Sequence, residues 1–574
     1  MEDAVREDRH LPIRAAAGSL AGAAVAAALA PFLKPLFAVP VGGVGAVTVG
    51  GYPKGWDYCV VALLVLCAFG GAMLSVVGCP SRGPSREKWP LTDNRQLTTI
   101  AAVVVILAMI AIHDHPYAHM DNFHEGEHLT PAYLFANGER PFRDVFLLHG
   151  LGVDGGLDAL VAGDPPAVVR TRRLQTVLDA VTLALLVPIA AEVTATAAGL
   201  LGGVLLSLCG VAAFWLPVFP YFRLAPILLA TLMLLRYART RSSGALFVAF
   251  ASAALGVLWS LDVGTYTVAA VGICTLFLRP PWKRALVLAL IAAALPLVAL
   301  LTLRADVRQF FVDSYVVIPR AIDAVWSLPA PAPFTAAGLR YYLPPVFYGF
   351  VLALAWKRRD PKLAILAVVS VVLFRSAAGR VSWSHTRFAI PLLGIALVGY
   401  VLEPLRNRLA MAVLALAAVF YFEVPQNLAA GAKLASEWSA RQRHEGLVRH
   451  PLAPGIYTTP DNATTLATLK NLVDSLPPGP VFDFTNERAL YFMLRRKPPS
   501  RVFDVPMLSA PPLLAETLAE LEANPPVAVI LGGEPVLNTF DGVSNRDRVP
   551  ELAAWIDARY RTRTEIGRFV VATP

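Results

Sequence analysis

The chain has 574 residues, 56% of them hydrophobic and 16% charged, and a mean hydropathy of +0.56, which excludes an ordinary soluble enzyme. Lys and Arg total 50 against 41 Asp and Glu, a net charge of +9. The basic residues fall in short runs between apolar segments, the positive-inside pattern of a multi-span membrane protein, so the charge needs no nucleic acid to explain it.

The N-terminus, MEDAVREDRHLPIR, carries acids as well as bases. The apolar stretch behind it lacks a clear cleavage site, so it reads as a retained first span rather than a removed signal peptide. A spanning helix needs about 20 mostly apolar residues. Segments 15–38, 57–79, 98–113, 175–196, 198–218, 222–238, 244–261, 264–279, 284–303, 341–356, 362–378, 387–403 and 408–424 approach that requirement. They predict a polytopic α-helical protein with about thirteen transmembrane helices, and the Gly/Val-rich piece 37–50 reads as a re-entrant segment. Cys59, Cys67, Cys79, Cys209 and Cys274 lie in or at the ends of these segments, with neither metal-ligand spacing nor a disulfide framework.

Basic turns at 82–88, 236–241, 279–284, 357–362 and 406–408 fall on alternate loops, so one topology puts all five in the cytoplasm. It places 114–174, the turn before Asp262, 304–340, 378–386 and everything after about 424 on the far side. Arg170, Arg172 and Arg173 run against this pattern, but long loops report orientation weakly. The last 150 residues change character: apolar runs Val481 to Phe484, Val527 to Leu531 and Phe569 to Val571 alternate with helical patterns and Pro/Gly punctuation. The expected organisation is a hairpin and linker over 1–97, a transmembrane domain over 98–424 and a small extracytoplasmic α/β domain over 425–574. Neither GxGxxG nor GxxxxGK occurs, so nucleotide binding and an energy-coupled pump find no support.

Between the third and fourth apolar segments the chain reads YAHMDNFHEGEHLTPAYLFANGERPFRDVFLLHGLG, crowded with His119, Asp121, His124, Glu125, Glu127, His128, Glu139, Arg140, Arg143, Asp144, His149 and, just beyond, Asp154. In a helical reading His124 and His128 are four apart, and Asp121, Glu125 and His128 share a face. Such a cluster can serve as a general base or hold a divalent cation, with His124, Glu125 and His128 as ligands. HEGEH also fits the zinc-protease pattern HExxH, but Gly126 and Pro131 disfavour the long helix that pattern needs and no third ligand is evident. A hydrated loop is the plain alternative. Asp262 is the only acid in a long apolar region and reads as functional or as a helix cap. RSAAGRVSWSHTRF brings Arg375, Arg380, His385 and Arg387 to the outer end of a span, where they suit a phosphate or pyrophosphate or the headgroups of membrane lipids. The 304–340 loop, with Tyr315, Arg320 and Trp326, reads as an interfacial flap over a lipid chain or as an amphipathic anchor.

HEGEHLTPAYLFANGERPFRDVFLLHG (124–150) resembles the first extracytoplasmic loop of bacterial GT-C class glycosyltransferases, the polytopic group that includes protein mannosyltransferases and lipid A aminoarabinose transferases. ALYFMLRRKPPSRVF (489–503), followed by an acidic helix and NPPVAVIL, is similar to their membrane-distal α/β domain. The resemblance spans about 98–574, and the hairpin before residue 80 looks like an addition to the family core. It implies transfer of a sugar from a polyprenyl-phosphate donor to a glycan, lipid or protein acceptor at the periplasmic face of a bacterial inner membrane, with the loop and the C-terminal domain on that side. The family's acidic pair falls on His124 and Glu125, so the base is expected to be Asp121 or Glu125, with His124 a metal ligand or orienting group. Asp144 matches the acid of the family's Pro-Tyr-Arg-Asp segment. Arg143, His149 and Asp262 are expected to contact substrate, and Arg380, His385, Arg387 and more weakly Arg320 to stabilise the departing lipid phosphate. The competing classes are a ligase or polymerase acting on lipid-pyrophosphate glycans and a transporter, which predicts polar residues near the bilayer midplane rather than at one surface.

Overall fold

The computed structural model describes residues 2–77, 95–113, 120–161, 163, 167–193, 220–382, 385–386, 392, 394–396 and 446–574. Its longer helices in the first four-fifths of the chain are α1 (Glu2–Leu33), α2 (Gly55–Ser75), α3 (Arg95–His113), α4 (Gly126–Ala136), α5 (Val168–Ala184), α6 (Leu186–Val193), α7 (Ala225–Thr240), α8 (Ser243–Trp259), α9 (Leu261–Leu278), α10 (Trp282–Thr302), α11 (Ile318–Val325), α12 (Ala336–Arg358) and α13 (Pro361–Gly379). Among the described residues seven helical stretches are long and apolar enough to cross a membrane, and 98–107 and 243–259 are shorter apolar helices. The thirteen expected spans are therefore seen only in part. Segments 198–218 and 408–424, most of 387–403 and the basic turns at 82–88 and 406–408 lie outside the described residues.

The first hairpin is built into the bundle rather than appended to it. A Cβ on Gly18 would lie 2.2 Å from the Gly71 carbonyl oxygen, and one on Gly349 of α12 would lie 2.5 Å from that of Val65. Glycine at these crossings lets α1, α2 and α12 approach backbone to backbone, the small-residue packing that membrane helices favour. Segment 37–50, expected as a re-entrant piece, is largely irregular, and Val44 exchanges hydrogen bonds with Ser509 Oγ (3.1 Å from its amide) and Arg548 Nη1 (2.7 Å to its carbonyl), which ties it to the C-terminal end of the chain.

Two of the three described basic turns meet: Arg241 donates to the Leu278 carbonyl (2.7 Å) and Arg284 to Ser243 (3.1 Å). At all three turns the helix ends on a left-handed Arg, Arg241 after α7, Arg279 after α9 and Arg359 after α12. The Arg170–Arg173 counter-signal also has a local cause, because Arg172 is consumed by Glu125 (2.6 and 2.8 Å).

The C-terminal part contains α14 (Pro460–Ser475), α15 (Pro511–Ala523) and α16 (Pro550–Arg559), each with Pro in its first turn, where the missing N–H costs nothing. They flank a sheet of β1 (Val481–Asp483), β2 (Ala528–Gly532), β3 (Thr562–Ile566) and β4 (Phe569–Thr573) in the order β1-β2-β4-β3, with β1 and β2 parallel and the other pairs antiparallel. The three apolar runs expected as strands are β1, β2 and β4. Side chains alternate along β2: Ala528 and Ile530 join one core with Leu129, Phe142 and Val145 from the polar loop, while Val529 and Leu531 join another with Ile318, Ala321 and Val325 of α11. Both faces of the sheet are thus sealed partly by segments of the helical domain, so the polar loop, the 304–340 segment and the sheet form one packed unit.

Candidate functional site

The polar loop is organised by the start of α4. A Cβ on Gly126 would sit 2.3 Å from the Ala489 amide nitrogen, so the glycine of HEGEH is where the C-terminal backbone lands. Ala489 N–H donates to the Asn122 carbonyl (3.0 Å) and Thr130 Oγ1 to that of Arg488 (2.8 Å). The loop and the 486–490 turn are locked together although more than 350 residues of sequence separate them.

The acids and imidazoles of HEGEH do not converge on one point. His124 Nδ1 lies 2.8 Å from Asp121 Oδ2, with the two side chains 29% and 34% exposed. Asp121 Oδ1 also accepts the amides of Phe123 (3.2 Å) and His124 (3.1 Å). Burial opposes the charge of Asp121, but the His124 contact and these amides outweigh it and hold the carboxyl below its ordinary range. Glu125 is 1% exposed, gripped by Arg172 and by the Asp121 amide (2.8 Å). It is a buried brace, so the geometry does not support Glu125 as base. His128 turns to Asp158 (2.7 Å) and Gln175 (3.2 Å). The metal set His124, Glu125 and His128 is therefore split among three partners, and among the described residues no three His, Cys, Asp or Glu side chains are arranged to hold a metal.

Close to the pair lies a small crevice lined by Glu127, Phe146, Leu148, His149, Asp154, Arg488, Phe503 and Asp504. Arg488 bridges Glu127 and Asp504 (2.7 Å to the latter) and lies over the Phe123 ring at 4.2 Å. His149 Nδ1 lies 3.1 Å from Asp154, whose other oxygen accepts the His149 amide (2.7 Å). Burial acts against charge on both Glu127 and His149. Arg488, then His149 and His124, hold Glu127 below its ordinary range, and Asp154 and Glu127 hold His149 above its own. At the helix end Asp262 accepts from Arg223 (2.9 Å) and Ser260 (2.7 Å) and from the Val263 amide (2.8 Å). It is both ion-paired and a first-turn cap.

The remaining expected site residues are placed less favourably. Asp144 accepts from the Arg140 amide (2.9 Å) and Nε (3.3 Å), beside a left-handed Phe142 and an exposed Arg143 whose Nε is 3.6 Å away. It braces a turn and is not aimed at the crevice. Arg380 is spent on Asp541 (2.7 and 3.0 Å) and the Trp326 carbonyl (2.7 Å), so its guanidinium is a clamp between the 304–340 segment and the C-terminal part and not an open phosphate contact. His385 lies 2.7 Å from Ser382 Oγ, Arg320 is exposed on α11, and His119 and Arg387 lie outside the described residues.

Glu127 and Asp154 carried a signal in the density of acids around HEGEH. Arg488, Asp504 and Arg223 did not, since none of them lies in a dense polar stretch like the one around HEGEH. Phe123 stacks on Phe540 (4.8 Å, 14° between planes), with Trp326 edge-on to Phe540 at 4.8 Å. This aromatic platform joins three segments distant in sequence and has no local signature.

No protein-family model and no curated protein matches the sequence. Among solved structures, the arabinosyltransferase EmbB from Mycobacterium smegmatis, determined by single-particle cryo-EM, is similar with a TM-score of 0.34 and 16% identity, over 60% of this chain and 33% of that one. The chain thus spans about a third of that structure's length, and a likeness of this depth fixes neither substrate nor chemistry.

Proposed function

We propose that the chain is a membrane glycosyltransferase that moves a sugar from a polyprenyl-phosphate donor to an acceptor at the outer face of a bacterial inner membrane. One observation carries this reading: the partly exposed Asp121–His124 pair stands where the loop, the 304–340 segment and the C-terminal part meet, while the neighbouring Glu125 is withdrawn under Arg172. A carboxylate can only accept, so Asp121 fixes the imidazole with Nδ1–H donating and Nε2 basic. Nε2 takes the acceptor proton, the acceptor oxygen bonds to the anomeric carbon, and the bond from that carbon to the lipid phosphate breaks with both electrons leaving on the phosphate. With Arg380 engaged, the departing anion is assigned to the flank where Arg375 is 40% exposed over the Tyr58 ring (4.1 Å) and only 3.5 Å from its partner Asp323. Arg320 sits one helical turn before Asp323 and adds a second positive charge there. The residues expected to hold a divalent cation do not fit one, and no step is routed through a metal.

The test is transfer from a polyprenyl-phosphate sugar in proteoliposomes by Asp121→Asn and His124→Ala. Each is expected to lose about 100-fold or more in turnover while remaining folded, within about 1 kcal/mol of the wild type. Full turnover in both overturns the assignment, and turnover only with a pyrophosphate-linked donor moves the chain to the ligase or polymerase class.

A further inference from the structure

We infer that Asn122, Asn486, Glu487 and Arg568 form a binding subsite for a neutral, hydroxyl-rich group, which, resting on the transferase reading above, is the sugar unit of a glycan acceptor. Asn486 is 7% exposed, and neither its amide oxygen nor its amide nitrogen has a protein hydrogen-bond partner. The same holds for Oδ1 of Asn122, which is 8% exposed, and for Nε of Arg568. A buried polar atom left unmatched destabilises the fold, and most proteins avoid it. Packing does not require amides here: the backbones of both residues are already fixed, Asn122 through its carbonyl to Ala489 N–H and Asn486 through its amide to the Leu537 carbonyl (3.0 Å each).

Three of the groups are bonded to one another, and Asn486 is the chain neighbour of the one they share. Glu487 follows Asn486 in the chain and accepts from both Asn122 Nδ2 and Arg568 Nη2 (3.1 Å). The cluster comes to the surface at Arg568, whose side chain is 30% exposed. Asn122 immediately follows Asp121 and precedes Phe123, so the cluster borders both the Asp121–His124 pair and the Phe123–Phe540 platform. Its chemistry selects the ligand. The Glu487 carboxylate and the Arg568 guanidinium cancel, which leaves nothing to attract a phosphate. Amides that both donate and accept, a carboxylate that accepts and a guanidinium that donates match neighbouring hydroxyls, each of which does both. A sugar seated there lies beside the proton-accepting pair, because Asn122 adjoins Asp121 in the chain.

The intact chain in detergent is applied to a printed array of neutral and anionic oligosaccharides, with undecaprenyl phosphate binding measured separately. Neutral glycans are expected to be retained, and Asn486→Ala to weaken the best of them by at least about tenfold while undecaprenyl phosphate binding stays within about twofold. Asn486→Asp keeps the shape, and melting curves of both variants separate lost binding from lost folding. The subsite is overturned if no neutral glycan binds the wild type, if only anionic ones do, or if both folded variants bind as tightly as the wild type. Glycan binding that depends on Asn486 without any affinity for polyprenyl phosphate removes the transferase reading and leaves the subsite standing.

Discussion

Two polar regions lie side by side at the junction of the loop and the C-terminal part, buried to a similar depth and built differently. Around Arg488, which is 3% exposed, each ionised group faces an opposite charge: Glu127 and Asp504 with Arg488, and Asp154 with His149. Around Asn486 two amides stand beside a single ion pair, Glu487 with Arg568, and several of the polar atoms are unmatched. Ion pairs of the first kind hold the three converging segments in register. Unmatched atoms of the second kind raise the energy of the folded chain and gain their partners from something outside it. Burial therefore does not separate scaffold from site here; the pairing of charges does, since both carboxylates around Arg488 are ion-paired although its own Nε is unmatched, whereas neither amide atom of Asn486 has a partner.

The largest effect expected from breaking this contrast is at Arg488. Arg488→Ala strands two carboxylates, Glu127 and Asp504, in a buried setting. Removing one partner of such a set costs about 3–5 kcal/mol, so unfolding in detergent should show a lower midpoint and the C-terminal part should become protease-sensitive. An Asn486→Ala chain of comparable instability would erase the distinction between the two regions.

Next comes the division of labour between the two acids of the loop. Glu125→Gln is expected to lower stability by about 2 kcal/mol, as expected for a charge-assisted bond lost to a buried Arg. A double-mutant cycle with Arg172→Gln should show coupling above about 0.5 kcal/mol. Asp121→Asn is expected to leave stability within about 1 kcal/mol while removing turnover. The opposite pattern, with Glu125→Gln folded and inactive and Asp121→Asn active, would return the base to Glu125.

How much of this was legible in the sequence differs by length scale. Apolar runs near 20 residues and basic turns on alternate loops report the bundle directly, because a membrane leaves few other ways to bury such segments. The strands β1, β2 and β4 were visible as short apolar runs between breakers. The polarity of the loop was visible too, but not the assignment of its charges. Helical spacing grouped Asp121, Glu125 and His128 on one face, whereas Arg172, Asp158 and Arg488, all brought by other elements, draw Glu125, His128 and Glu127 apart. Gly126 shows the limit well: its role is to admit the Ala489 backbone, and nothing near residue 126 records that neighbour. Arg380 likewise looked like a phosphate contact until Asp541, 161 residues away, occupied it.

The paired region should also titrate. His149 and His128 are held above the ordinary imidazole value of about 6.5, despite burial, by Asp154 and Asp158 respectively together with nearby Glu side chains. Their contribution to stability is full below about pH 6.5 and is lost as pH rises through the raised values. Glu127 and Asp121 are held below their ordinary values, so theirs is present above about pH 4.5 and lost as pH falls through the lowered ones. The melting temperature is thus expected to peak between these limits and decline on the alkaline side, less steeply in His149→Asn. A wild-type curve that is flat from neutral to alkaline pH would mean that these imidazoles are not held by the carboxylates facing them.

The smallest expected effect tests the same contrast from its exposed side. Asp557 accepts from Arg546 (2.7 and 3.0 Å) and Arg563 (2.7 Å), as many charged contacts as Arg488 makes with its two carboxylates or more. The three side chains are 41–50% exposed, however, so water screens the pairs and regains the groups when one is removed. Asp557→Asn should change stability by no more than about 0.5–1 kcal/mol, and less in high salt. If it instead costs as much as Arg488→Ala, the number of charged contacts rather than their burial governs stability in this part of the chain, and the paired crevice loses its claim to be the scaffold on which the Asn486 cluster and the Asp121–His124 pair are mounted.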